Sequence, residues 1–331
     1  MAHLVETMVS ANSVIPWHKK GAVLSGYPSI DEMYKHSGLD WSVDLRPLYY
    51  LGVDGAVDTP LYALVRDSDN TYLGSCTERY TPLQNKDAFE WCKPLMASGL
   101  WVMETAGSLC NGKVCWALLN QGSTSVVKGD DLKNYLLLQW GHTGHDSVRC
   151  GLTSIRVVCN NTLQQALNRD GGTISSLQHN SRLTVKLDEL RDLYDKTREE
   201  FKQQEEIFKK FSEKSVDKSE REQYIEELLA TYVPEPVGLQ LEGAELNKVM
   251  DRWRKRLDVA REQINLYISD GSGQRDLGIS GNLWGVFNGV EEWIEKCQGG
   301  KRIQDRGYNI LHGQGMNYVD LAFNNAMAML N

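Results

Sequence analysis

The sequence predicts an α+β fold: a mainly antiparallel sheet crossed by helices, with an inserted antiparallel helical hairpin and a helical C-terminal segment. Three observations predict it. Between Trp41 and Trp140, apolar residues recur in short runs separated by turn residues, as half-buried or buried strands do. From Leu187 to Phe211 the spacing changes to threes and fours, at 187, 190, 194, 197, 201, 204, 208 and 211, which is a helical seam. Near the end, Trp284, Phe287, Val290 and Trp293 hold helical spacing, and a small-residue stretch follows from Asn317 to Leu330.

Taken in order, residues 1–28 read as irregular, with Pro16-Trp17-His18-Lys19-Lys20 as their notable cluster. Trp17 beside two lysines suits either a stacked base or a neighbouring core. Ser29 caps a helix to Ser37, with Asp31 and Glu32 in its first turn and Gly38 as its stop, as the helix dipole and the left-handed cap favour. Trp41, Val43 and Leu45 then alternate with polar residues as a strand. Leu61–Val65 and Tyr72–Cys76 are the next two strands, joined through the turn-rich 66–70. A helix follows over Asn85–Ala97, which Pro94 shortens or kinks. Strands over Leu100–Ala106 and Lys113–Leu119 flank Asn111-Gly112, a strong hairpin signal. Asp131–Trp140 leads into a glycine- and histidine-bearing loop, Gly141–Ser147. The run at 155–158 reads as a buried strand, after which Asn160-Asn161-Thr162 caps a short helix.

The second half reads as helical. The seam to Phe211, a shorter helix around Arg221–Thr231 and a third over Asn247–Tyr267 suggest an antiparallel hairpin projecting as an arm. The expected division is a core domain at 1–184, the arm at 185–270, and a C-terminal segment at 271–331 packing on the core.

Charge constrains partners. The chain of 331 residues has a net charge of −8, which disfavours coating nucleic acid by bulk electrostatics. Residues 1–184 hold 15 Lys/Arg against 17 Asp/Glu, while residues 185–270 hold 16 against 21. The first segment is therefore near neutral and has room for a local basic surface. Arg46, Arg66 and Arg79 lie on or beside the predicted strands; they are either solvated ends or a basic stripe on one sheet face. No apolar run approaches the ~20 residues a bilayer requires, and MAHLVETMVS lacks a secretion pattern. A soluble, cytoplasmic protein is expected, with its seven cysteines reduced.

Recognisable chemistry is sparse. The sequence contains no phosphate-binding Gly-Lys-Ser/Thr loop, no GxGxxG after a strand, no HExxH and no Cys-x-x-Cys pair. His142, His145 and Asp146 are of metal-ligating type and close in sequence, but their spacing fits no common zinc motif. His145-Asp146-Ser147 names three triad residues that, as neighbours, cannot take triad geometry. No cofactor is expected, and enzymatic activity is not indicated. Arg156, Asn160 and Asn161 interrupt an apolar run; they either lock a strand to its neighbours or face an anionic ligand.

Several segments carry a resemblance. HDS at 145–147 and TSIRVVCNNTL at 153–163, with GLDWSVDLRPL (38–48), LVRDSDNTYLGSCTERYTPLQN (64–85), WVMETAGSLCNGKVCWALL (101–119) and LWGVFNGVEEW (283–293), resemble the phage/plasmid-like protein family, a domain of unknown function. His142 is a departure from that pattern. The resemblance implies origin in a phage, prophage or plasmid and a bacterial cytoplasm, and brings no reaction. The order helix, Gly-aromatic step, strand, hairpin, helix over 30–97 is also similar to the core of ring-forming single-strand annealing proteins. That analogy implies an oligomer binding single-stranded DNA, with Arg46, Arg66, Arg79, Lys86, Arg149 and Arg156 on phosphates and aromatics on bases. The alternative is an interaction or counter-defence protein that binds a host protein through its helical arm. A metal-dependent nuclease around His145-Asp146 is the third reading.

Overall fold

The computed structural model describes residues 5–11, 21–156, 162–164, 174–180, 182–194, 198–238, 240–297 and 314–330. Trp17, Lys19, Lys20, Asn160 and Asn161 lie outside these, as does the side chain of Arg156. The chain folds as α+β with mainly antiparallel strands. It forms two compact units, the first from 1–122, 134–153 and 168–199, the second from 123–133, 154–167 and 200–331.

The strands are β1 (Val5–Ser10), β2 (Ala22–Val23), β3 (Val43–Gly52), β4 (Gly55–Arg66), β5 (Tyr72–Thr77), β6 (Val102–Leu109), β7 (Val114–Val127), β8 (Asp130–Gly141), β9 (Val148–Arg156), β10 (Thr162–Gln164) and β11 (Ile174–Leu177). The larger sheet has the order β10-β9-β8-β7-β6-β1-β2, with β11 against β9; the smaller is β3-β4-β5. Two sequence expectations are corrected here. Residues 5–10 are a strand rather than irregular chain, because β6 offers them an antiparallel ladder from Ser10↔Thr105 to Val5↔Leu109. Thr162 opens β10 rather than capping a helix.

In the first unit, α1 (Ile30–Ser37) begins at a capping box: the Ser29 hydroxyl accepts from the Glu32 amide, and the Glu32 carboxylate accepts from the Ser29 amide. Helix α2 (Asn85–Ala97) has no side-chain cap at Gln84. That amide is used elsewhere: it accepts from Val43 N at 2.9 Å and donates to Val43 O at 3.0 Å, as a neighbouring strand would. Asn85, fully buried, joins four groups. Its Nδ2 donates to the carbonyls of Leu39 and Trp41, and its Oδ1 accepts from Trp140 Nε1 at 2.9 Å and contacts His142 Nε2 at 3.0 Å. Helix α3 (Leu183–Tyr194) completes the described helices of this unit, its Leu187 carbonyl accepting from Trp91 Nε1.

The second unit is built on α4 (Arg198–Glu213), α5 (Lys218–Tyr232), α6 (Gly243–Asp270), the short α7 (Gln274–Leu277), α8 (Leu283–Cys297) and α9 (Gln314–Ala328). The seam predicted as one helix is thus divided between α3 and α4. Phe208 and Phe211 of α4, Ile225 and Leu228 of α5, Ile264 and Ile268 of α6, Trp284 and Phe287 of α8 and Phe323 of α9 lie in one buried cluster. Helices expected as an arm therefore share a core with the C-terminal helices. Close approach fixes part of it: a Cβ at Gly289 would lie 2.6 Å from Ile268 Cγ1. No helix among the described residues is long and apolar enough to cross a membrane.

Candidate functional site

The smaller sheet carries a run of exposed large apolar side chains. β3 and β4 pair from Val43↔Arg66 through Pro47↔Tyr62, shift register between Pro47 and Tyr49, and resume as Tyr49↔Asp58, Tyr50↔Val57, Leu51↔Ala56 and Gly52↔Gly55. β5 pairs β4 only between 61 and 65, so residues 47–60 continue as a two-stranded ribbon. Gly55 takes the positive φ, +122°, beside the turn. Side chains that normally seek a core are left in solvent here: Tyr49 is 62% exposed, Tyr50 58%, Leu51 82% and Val53 103%. Asp54 and Asp58 are the ribbon's only charged residues between 47 and 62. Large apolar side chains exposed together in this way are a common feature of interaction sites.

Sequence reasoning missed these residues. It ended the first strand near Leu45, because alternation is only informative when one face is buried, and both faces of this ribbon are wet. The available signal was Asp54-Gly55, a hairpin dipeptide between two apolar β-rich runs.

The basic residues expected to line one sheet face do not do so. Val43 pairs with Arg66, and Arg46, three residues on, pairs with Ala63. With a side-chain period of two, this register sets Arg46 and Arg66 on opposite faces. Arg66 is 7% exposed. Its guanidinium donates to Glu6 Oε1 at 2.8 Å and to the Asn111 carbonyl at 2.6 Å. It also lies over the Trp41 ring, 4.8 Å from the centroid. A cation so engaged ties β4 to β1 and the 110–112 turn, and is removed from the candidate phosphate contacts. Arg46 is exposed, with Asp44 at 3.2 Å and Asn70 Oδ1 at 2.9 Å. Arg79 and Lys86 are exposed. Arg149 sits on β9 of the other sheet, paired in register with Ser176. Arg156 ends the same strand, and its side chain is outside the described residues. Trp253 on α6, flanked by cations in sequence, donates Nε1 to the Val233 carbonyl at 2.9 Å.

The loop 141–147 packs against β5 by backbone. A Cβ on Gly74 would lie 2.1 Å from the Thr143 carbonyl oxygen, and one on Gly144 would lie 2.0 Å from that of Ser75. Asp146 accepts from the Thr143 hydroxyl at 2.7 Å, and Ser147 shares a 2.8 Å hydroxyl contact with Ser176. His145 is exposed, whereas His142 is fully buried edge-on to Trp41. Burial holds the His142 pKa down to about 3, assisted by nearby His179 and Arg66, so the ring is neutral at physiological pH. With Asn85 Oδ1 as an acceptor, Nε2 carries the proton. His179, stacked on Tyr80 at 4.7 Å, is also lowered by burial. His142, His145 and Asp146 thus serve different neighbours. Among the described residues no group of three His, Cys, Asp or Glu side chains is placed to hold a metal ion.

Comparison with known proteins adds kinship. No curated protein matches the chain. No solved structure matches it either. The model of one family, described as a domain of unknown function (DUF932), matches residues 72–312, well over half of the 331. Buried Trp101 and Trp140, the loop packed on Gly74 and the helix from Leu283 all fall within that span, and the chain belongs to the DUF932 family.

Proposed function

We propose that this protein is an assembly protein of a phage or plasmid element, acting in the bacterial cytoplasm by protein–protein association through the β3–β4 ribbon, without a cofactor. The observation that carries this reading is the exposure of Tyr49, Tyr50, Leu51 and Val53 on an element that bears no cation between Pro47 and Tyr62. Large aliphatic and aromatic side chains without a nearby positive charge suit a desolvated protein interface. They suit a phosphate backbone poorly, because single-strand binding needs a cationic track beside its stacking residues. The helical arm of the alternative reading is a poorer docking element, since Phe208 and Phe211 of its seam lie in an internal core.

A second reading, single-stranded DNA binding and annealing, keeps support from Arg46, Arg79 and Lys86, which are exposed within the same unit. Sedimentation of the full chain over a concentration series, paired with filter binding of a labelled single-stranded oligonucleotide at two salt concentrations, separates the two. Concentration-dependent association without oligonucleotide binding supports assembly. A monomer that binds the oligonucleotide, more weakly as salt rises, overturns assembly in favour of annealing.

A further inference from the structure

We infer that the partner of the ribbon is the ribbon of a second copy of this chain, running antiparallel to the first; this rests on the assembly reading and deepens it. The inference comes from the order of side chains along nine residues: Arg46-Pro47-Leu48-Tyr49-Tyr50-Leu51-Gly52-Val53-Asp54. A cation stands at the root, an anion at the turn, and everything between is apolar or glycine. Laid antiparallel about Tyr50, two such segments set Leu51 beside the other copy's Tyr49, Val53 beside its Pro47, and Asp54 beside its Arg46. Two-fold symmetry repeats each contact, as an isologous interface requires. A parallel arrangement instead opposes Arg46 to Arg46 and Asp54 to Asp54, which like charge disfavours. The pattern therefore selects both the partner and its direction.

Two further observations support it. The large apolar residues left exposed on β3, β4 and their turn are Leu45, Tyr49, Tyr50, Leu51, Val53, Val57 and Leu61. They lie on both faces of the ribbon, and in an edge-to-edge pair the side chains of the two copies meet on each face at once. The outer edge of β3 is also prepared against open-ended strand addition. The Val43 amide and carbonyl face Gln84 and the Leu48 carbonyl faces Thr59 of β4. By alternation, residues 45 and 47 turn their backbone away from β4, and Pro47 has no N–H to offer there. Proline on an edge interrupts the ladder, so backbone pairing between copies is confined to the short segment about Tyr50 and closes as a pair. Arg46 already meets Asp44 at 3.2 Å, but an exposed pair of this kind is weak enough to exchange.

The test is a charge swap in the full chain. Sedimentation velocity would be run over a concentration series on the wild type, R46D, D54R, the double variant R46D/D54R and the tip variant L51S/V53S, with circular dichroism melts to verify folding. The wild type is expected to be a reversible dimer. Each single reversal should weaken dimerisation by about tenfold, since two symmetric pairs become repulsive, and the double variant should return to near wild-type affinity. If all three charge variants match the wild type while L51S/V53S is monomeric, the antiparallel register is overturned and the assembly reading survives. A wild type that stays monomeric at every concentration, or that associates only when single-stranded oligonucleotide is added, overturns both.

Discussion

Arg66 Nη1 donates to Glu6 Oε1 at 2.8 Å, joining the last residue of β4 to a strand sixty residues earlier in the chain. This pair converts a residue that looks like a surface cation into a structural one, and moves the functional question from charge to the apolar ribbon beside it. Its removal should therefore be felt in stability. Arg66→Ala leaves a half-buried carboxylate and strips the face of Trp41, and is expected to destabilise the chain by about 3 kcal/mol. Urea denaturation measures this. Arg66→Lys should recover only part, because an ammonium cannot span Glu6 and the Asn111 carbonyl as the planar fork does. A loss near zero for Arg66→Ala would mean that the cation is spare.

Gly74 and Thr143 make a second prediction. A methyl group at Gly74 would collide with backbone rather than with a movable side-chain end, so loop 141–147 must leave β5 or the strand must shift. Gly74→Ala should lower stability by about 2 kcal/mol and speed amide exchange in 142–146. The ribbon tip should be unaffected. Unchanged exchange in the loop would show that the contact is softer than its geometry implies.

His142 makes stability depend on pH. Its folded pKa lies near 3, below the ~6.5 of an unfolded histidine. Between those values the unfolded chain binds the extra proton, so stability rises with pH there. The contribution is complete above about pH 6.5 and declines as pH falls toward 3, by up to about 4 kcal/mol. His142→Gln keeps a donor toward Asn85 and cannot titrate. The difference between wild-type and His142→Gln unfolding free energies should therefore shrink as pH falls through this window. Parallel curves from pH 7 to 4 would contradict a neutral buried ring.

Much of the fold was legible, and the exceptions share a cause. Helices α1 and α2 were read to the residue because their signals are local: Ser29 with Glu32, Asn85 with the apolar face of Phe89, Trp91 and Cys92. The Asn111-Gly112 hairpin was legible for the same reason. β1 was missed because nothing near Val5 announces a partner almost a hundred residues away in β6. The placement of Arg46 and Arg66 on opposite faces depends on the β3–β4 register, which no local pattern fixes. The ribbon escaped because its apolar residues face water on both sides, so they show no alternation. The seam at 187–211 kept its buried positions, with Leu187, Phe201, Gln204, Phe208 and Phe211 all inside, yet Leu187 and Phe208 serve the cores of different units.

Exposed cations should matter little to assembly. Arg79→Ala combined with Lys86→Ala alters two solvated side chains outside the ribbon, and should shift stability by less than about 0.5 kcal/mol with no change in association state by light scattering. A large loss of association in this variant would relocate the interface to the α2 end of the sheet.

The most direct measurement is the sedimentation coefficient of the full chain against concentration, for the wild type and for Leu51→Ser with Val53→Ser. These two side chains are almost wholly in solvent, so their replacement should leave the melting curve unchanged. The wild type is expected to associate reversibly and the variant to remain monomeric at the same concentrations. A variant that associates as strongly as the wild type would contradict assembly through the ribbon.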